Sequence, residues 1–158
     1  MHIEQVSPAH AEVADMICQL EKLLAGLYPP ESNHMDQVEE LQKAKAFMVG
    51  AFDEGILVGI GAVKILVSKD ADKETYGEIK RVFVGPAHRG KGVSKLIMTA
   101  LENHLRENHV RISRLETGIA QPEALGLYKN LGYVERDPYG GYRPDPLSVF
   151  MEKKLFVD

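Results

Sequence analysis

The chain reads as an α/β domain, a mixed central sheet of about seven strands flanked by about four helices, and three observations predict it. Apolar runs of strand length alternate with amphipathic helical stretches through the second half, the pattern of helices packed on a sheet. The first half carries a hairpin signature, two apolar runs separated by Asp53-Glu54-Gly55. A glycine-rich turn, Arg89-Gly90-Lys91-Gly92-Val93-Ser94, joins a run ending Val82-Phe83-Val84 to a helical stretch from Leu96 through Leu101. With no internal repeat and no linker-like break, the 158 residues are expected to form a single domain, 1–158.

In chain order, a short strand is predicted over residues 3–6. Ser7 before Pro8 reads as a capped helix start, and the helix should run to about residue 24. Its apolar residues Val13, Met16, Ile17, Leu20, Leu23 and Leu24 fall three or four apart and form one buried stripe. Gly26 should end it, and Tyr28-Pro29-Pro30 should enforce an extended connection. A second helix is expected at roughly 35–43, the hairpin at 47–52 and 56–67, and a charged loop at 68–74. A strand over 76–84 leads through the glycine loop into a helix over 93–107, then a strand over 112–117. Pro122 opens a helix to residue 131 and Gly132 stops it. Strands at 133–135 and 147–154 flank a loop rich in proline and glycine.

Composition narrows the function. The apolar fraction of 44% and charged fraction of 27% are ordinary for a globular domain. Nineteen Lys/Arg against 23 Asp/Glu give a net charge of −4, which argues against nucleic acid as a partner, since phosphate neutralisation needs a basic face. The single cysteine, Cys18, rules out an internal disulfide and a multi-cysteine zinc site, and reads as a helix thiol. Neither His104 nor His109 has a metal-ligand partner at sensible spacing, so no metal is expected. No apolar run approaches ~18 residues, and the first residues lack a basic-then-apolar signal. No membrane partner is expected, and the location should be cytoplasmic.

Against the acidic whole, residues 80–95 hold five Lys/Arg and one His with no Asp or Glu. Glycines without a Cβ, followed by a helix N-terminus with unpaired amides, suit a phosphate or pyrophosphate. Two spellings compete. Residues 85–91 match the first seven positions of a nucleotide P-loop, but Gly92 stands where Ser or Thr would hold magnesium, and Pro86 lacks an amide donor. The other spelling is Arg-x-x-Gly-x-Gly/Ala, met by Arg89, Gly92 and Ser94, with serine in the last place.

The second spelling resembles the coenzyme A loop of the GCN5-related N-acetyltransferase (GNAT) family. A later block strengthens the resemblance. Leu115-Glu116-Thr117 is followed by Gln121-x-x-Ala124-x-x-Leu127-Tyr128 and by Gly132-Tyr133. The family writes Asn for Gln121 and Phe for Tyr133. The resemblance covers nearly the whole chain and implies the family's fold, with acetyl-CoA as co-substrate. It implies that the backbones of Val82, Phe83 and Val84 hold the pantetheine arm. Arg89, Gly90, Lys91, Gly92, Val93 and Ser94 would receive the pyrophosphate, while Gln121 and Tyr128 would lie along the arm.

Tyr128 is the expected acid, a phenol placed to protonate the departing thiolate. On its helix it also falls in the apolar stripe Ala124, Leu127, Tyr128, Leu131, as a core tyrosine would. Glu78 is the expected base, with Glu116 and a water chain as alternatives. Strand alternation places Glu78, Lys80, Val82 and Val84 on one side. Two loops, residues 28–34 and 136–146, mix aromatics and charges with prolines and should rim the acceptor pocket. They offer Glu31, Asn33, His34, Tyr142 and Arg143 to the substrate, with Asp145 as a further acid. The expected activity is direct acetyl transfer to a small-molecule amine such as an amino acid. A coenzyme-binding module without turnover and a protein acetyltransferase are the alternatives, and a homodimer is left open.

Overall fold

A computed structural model describes residues 1–32, 45–69, 71 and 73–156. Its strands are β1 (His2–Gln5), β2 (Phe47–Asp53), β3 (Ile56–Val67), β4 (Thr75–Val84), β5 (Ile112–Gly118), β6 (Val134–Arg136) and β7 (Ser148–Lys154). Its α-helices are α1 (Ala11–Leu27), α2 (Val93–Glu107) and α3 (Pro122–Asn130). The expected helix at 35–43, with Asn33 and His34, lies outside the described residues. The seven strands form one sheet in the order β1-β2-β3-β4-β5-β7-β6. Among the described residues only β4 and β5 run parallel; every other pair is antiparallel.

Over the described residues the strands and helices follow the order expected from sequence, with two corrections at the first helix. Ser7 and Pro8 precede it in a turn, where the Ser7 carbonyl accepts from the His10 amide and the Ser7 hydroxyl from the Ala9 amide. The helix begins at Ala11, so these bonds close a turn instead of capping a helix. Gly26 does not stop it either: the helix passes through and ends at Leu27, before Tyr28 in extended conformation. A proline pair imposes the stop, because Pro29 disfavours helical geometry at Tyr28.

One sheet face is covered by α2 and α3, through a core containing Val63, Ile79, Val84, Ile97, Leu101, Leu105 and Leu115. The other is covered by α1, whose Val13, Met16, Ile17 and Leu20 meet Met48, Ile60, Ala62 and Phe83. Each large aliphatic side chain buried in these layers stabilises the fold by about 1.5–3 kcal/mol. Helix α2 seats closely because the sheet beneath it is notched. A Cβ at Gly59 would stand 2.9 Å from Ile97 Cδ1, and one at Gly77 would stand 2.9 Å from Leu105 Cγ.

Two irregularities in the middle of the sheet make room for a site. Strands β4 and β5 pair only from Gly77–Ile79 against Ser113–Leu115 and then part. Opposite β3, the register of β4 steps from Lys80 to Phe83, paired with Ala62 and Ile60, so Arg81 and Val82 together oppose Gly61. This is a β-bulge, with Arg81 at φ 59°. It overturns the expected alternation. Glu78 and Lys80 lie on the α1 face with Phe83, whereas Val82 and Val84 turn to the α2 face. An extra residue shifts the two-residue period by one, which reverses every side chain beyond it.

Candidate active site

The cleft expected to take the coenzyme, of about 610 Å³, runs between the end of β4 and the start of α3. Val82, Phe83, Val84, Arg89, Gly90, Gly92, Val93, Ser94, Gln121 and Tyr128 all line it; Lys91 is exposed beside it. Gly90 and Gly92 adopt φ 76° and 79°, the left-handed region that favours glycine. A Cβ on either would meet no protein atom within 4 Å, so the loop fronts open space. Gly92 is the residue before α2, whose first turn carries no acidic side chain. Its first amides and positive dipole end therefore lie at the cleft with no acidic side chain on their own turn. The loop fits a pyrophosphate on these grounds. Val93 is 2% exposed, its side chain packed in the core. Arg89 donates from Nε to the Val84 carbonyl at 3.1 Å, and its guanidinium lies 5.7 Å from the centre of the Phe83 ring, bracing the loop on the strand end.

On the α1 face of the sheet a second cleft, of about 650 Å³, is lined by Glu31, Lys64, Tyr76, Glu78, Lys80, Tyr142, Arg143 and Asp145 among others. The two loops proposed from sequence thus meet here. Between the clefts lies a smaller cavity at the parting of β4 and β5, bounded by Lys80, Arg81, Val82, Leu115, Glu116, Thr117, Gln121, Tyr128 and Tyr142. It shares Val82, Gln121 and Tyr128 with the coenzyme-side cleft, and Lys80 and Tyr142 with the other.

The two glutamates differ sharply. Glu78 is 4% exposed and accepts the Tyr139 hydroxyl at 2.9 Å. Its other oxygen lies 3.9 Å from Lys64 Nζ and 3.8 Å from Lys80 Nζ, so it is held within an ionic cluster. Glu116 lines the central cavity. Burial pushes its carboxyl up to about 7, opposed by the Ser148 hydroxyl and Lys80, with Glu78 and Asp145 adding to the rise. Tyr128 reaches the same cavity from α3. Burial, with Glu116 nearby, pushes its phenol up to about 12. A phenol at that value keeps its proton at neutral pH, and a carboxyl near 7 is poised to accept one. Among the described residues no cluster of three or more His, Cys, Asp or Glu is placed to hold a metal.

The sequence profile of the Acetyltransferase (GNAT) family matches residues 15–133. The chain belongs to that family. It is 38% identical, over 97% of both chains, to an IAA acetyltransferase of Azospirillum brasilense. It is 32% identical to YsnE of Bacillus subtilis, an uncharacterised N-acetyltransferase, over 98% of this chain and 100% of that one. A crystal structure of a Klebsiella pneumoniae protein described as a putative acyl-CoA N-acyltransferase superposes with a TM-score of 0.78 at 33% identity, covering 98% of this chain and 97% of that one. PaiA N-acetyltransferase of Thermoplasma acidophilum, solved with coenzyme A, shares the fold with a TM-score of 0.70 at 19% identity, over 98% and 99% of the chains. This GNAT chain is an acyltransferase, and its seven-stranded mixed sheet is the fold of those neighbours.

The family motifs do not mark Tyr28, Lys64 or Tyr139, whereas Thr117 stands in the second block. Tyr28 and Thr117 bound the central cavity, Lys64 lines the second cleft, and Tyr139 holds Glu78. The signal for Tyr28 and Tyr139 was their place in the two aromatic loops; Lys64 had none.

Proposed function

We propose that this GNAT protein transfers the acetyl group of acetyl-CoA directly to the amine of a small acceptor of amino-acid type. The observation that carries the reading is the meeting of two clefts at one cavity. The glycine-loop cleft supplies the thioester from one side, and the Tyr142–Arg143 cleft supplies the amine from the other. Lining of mixed charge, with Glu31 and Asp145 beside Arg143 and Lys64, suits a molecule bearing both an ammonium and an acid group. The protein-acetyltransferase and turnover-free readings lack that support.

In the proposed reaction the coenzyme pyrophosphate lies on the first amides of α2 and its arm along Val82 to Val84. Glu116, directly or through water, removes a proton from the acceptor ammonium. The free amine attacks the thioester carbonyl, whose developing oxyanion is stabilised by a backbone amide at the end of β4. The C–S bond then breaks as the sulfur takes the proton of the Tyr128 hydroxyl, and the nitrogen of the new amide gives up its extra proton, which restores the neutral phenol. Glu78 holds Lys64 and Lys80 in place at the acceptor side.

A panel of amino acids, polyamines and peptides, assayed for thiol release from acetyl-CoA, tests this. Turnover with a small zwitterionic amine is the expected result. Turnover confined to peptides, or coenzyme binding with no acceptor in the panel, overturns it.

A further inference from the structure

We infer that Tyr28 is a positioning residue for the coenzyme cleft, fixing the Gln121 amide so that its NH2 group faces the pantetheine arm. The inference deepens the proposed function and rests on the coenzyme reading of that cleft. Tyr28 follows α1 directly and is 8% exposed. Its hydroxyl accepts from the Ala120 amide at 3.1 Å and stands 3.1 Å from Gln121 Oε1, spanning 92 and 93 residues. Its ring lies over Gly118, where a Cβ would overlap the phenol. The tyrosine therefore ties the end of α1 to the loop between β5 and α3.

The pairing dictates which way the amide points. The Ala120 N–H occupies the oxygen of Tyr28, so the buried hydroxyl proton needs an acceptor, and Gln121 Oε1 supplies it. The Gln121 NH2 group is then the half left to donate into the coenzyme cleft, which Gln121 lines. The residue type fits this job. Gln121 occupies the position before α3, where a short Asn would cap the helix, yet it makes no side-chain cap bond. One methylene longer, it reaches across to Tyr28. A longer amide has more rotamers to lose on binding, and the tyrosine restricts them beforehand.

The test is a double-mutant cycle on coenzyme A affinity, read by calorimetry, which needs no acceptor. Tyr28→Phe keeps the ring over Gly118 and should weaken binding roughly three- to tenfold. Gln121→Asn is too short to reach Tyr28. In that background, Tyr28→Phe should change affinity less than twofold, since the two residues act as one unit. Equal affinity of Tyr28→Phe and wild type overturns the inference. So does a full loss from Tyr28→Phe in the Gln121→Asn background, because a purely structural tyrosine would act there too. Circular dichroism of each variant confirms that affinities are compared between folded proteins. A wild type that binds no coenzyme A overturns the reading of the cleft itself and the role of Tyr28 with it.

Discussion

The Tyr139 hydroxyl donates to Glu78 Oε2 at 2.9 Å across 61 residues of chain, and this bond closes the ionic cluster that Glu78 shares with Lys64 and Lys80. Glu78 is therefore engaged before any acceptor arrives. Removing the donor leaves a carboxylate that is 4% exposed short of a hydrogen bond. Tyr139→Phe should cost about 1–3 kcal/mol of stability. Denaturant unfolding of the variant checks this, and an unchanged midpoint would show that the bond is dispensable.

Glu116 should govern the pH dependence of transfer. With its carboxyl at about 7, the single-turnover rate should rise with pH through that value, and Glu116→Gln should remove the rise. The same shift has a stability consequence. A carboxyl raised in the folded state binds more protons folded than unfolded, so its contribution to stability falls as pH climbs from about 4.5 to about 7. Glu116→Gln should therefore melt higher than wild type at pH 8 and show a smaller difference at pH 5. A variant melting lower at pH 8 would contradict the assigned burial.

Tyr128→Phe should lower the single-turnover rate by roughly 10²–10⁴-fold while coenzyme A affinity stays near wild type. The ring remains in the core and packs edge-on to Tyr133, centroids 6.0 Å apart, so folding should be little affected. A rate within threefold of wild type would make Tyr128 a packing residue.

Gly92→Asp should abolish coenzyme A binding, because the new carboxylate enters the space before the α2 amides. Gly92→Ala separates charge from backbone strain. At φ 79° an alanine costs about 1–2 kcal/mol of stability, while its methyl meets no protein atom within 4 Å. Calorimetry should therefore rank affinity as wild type, then alanine, then aspartate with none measurable. Binding by the aspartate variant at wild-type strength would dismiss the loop as the pyrophosphate site.

What was legible in the sequence was local. Helix α2 runs from Val93 to Glu107 as its apolar spacing predicts, and α3 starts at Pro122 and ends at Asn130, one residue short of the expectation. The glycine loop lies where its spelling put it. The bulge at Arg81 was invisible, because it arises from the register of β4 against β3 and no glycine announces the positive φ. The state of Glu116 was equally hidden, since burial raises its carboxyl to about 7 against the opposing pull of Ser148 and Lys80, with Glu78 and Asp145 adding to the rise, and none of this is local in sequence. Glu78 and Glu116 were indistinguishable as strand glutamates until Tyr139 and the lysines were seen around one of them. The Tyr28–Gln121 pair joins residues 93 apart, and no spacing rule reaches that far.

The notches under α2 have a consequence for how far damage can travel. Ile97 is keyed against Gly59 on β3 and Leu105 against Gly77 on β4, eight residues and roughly 12 Å apart along the helix axis. Two such keys on neighbouring strands forbid the helix to roll or slide, so its aim is set from its distal half. A methyl added at Gly77, which lines neither cleft, acts as a wedge under the heel of a lever whose toe carries Gly92. On the proposed reading, coenzyme affinity is a property of the sheet floor as much as of the loop, and a sequence change that touches neither cleft can still misalign the end of α2 at Gly92.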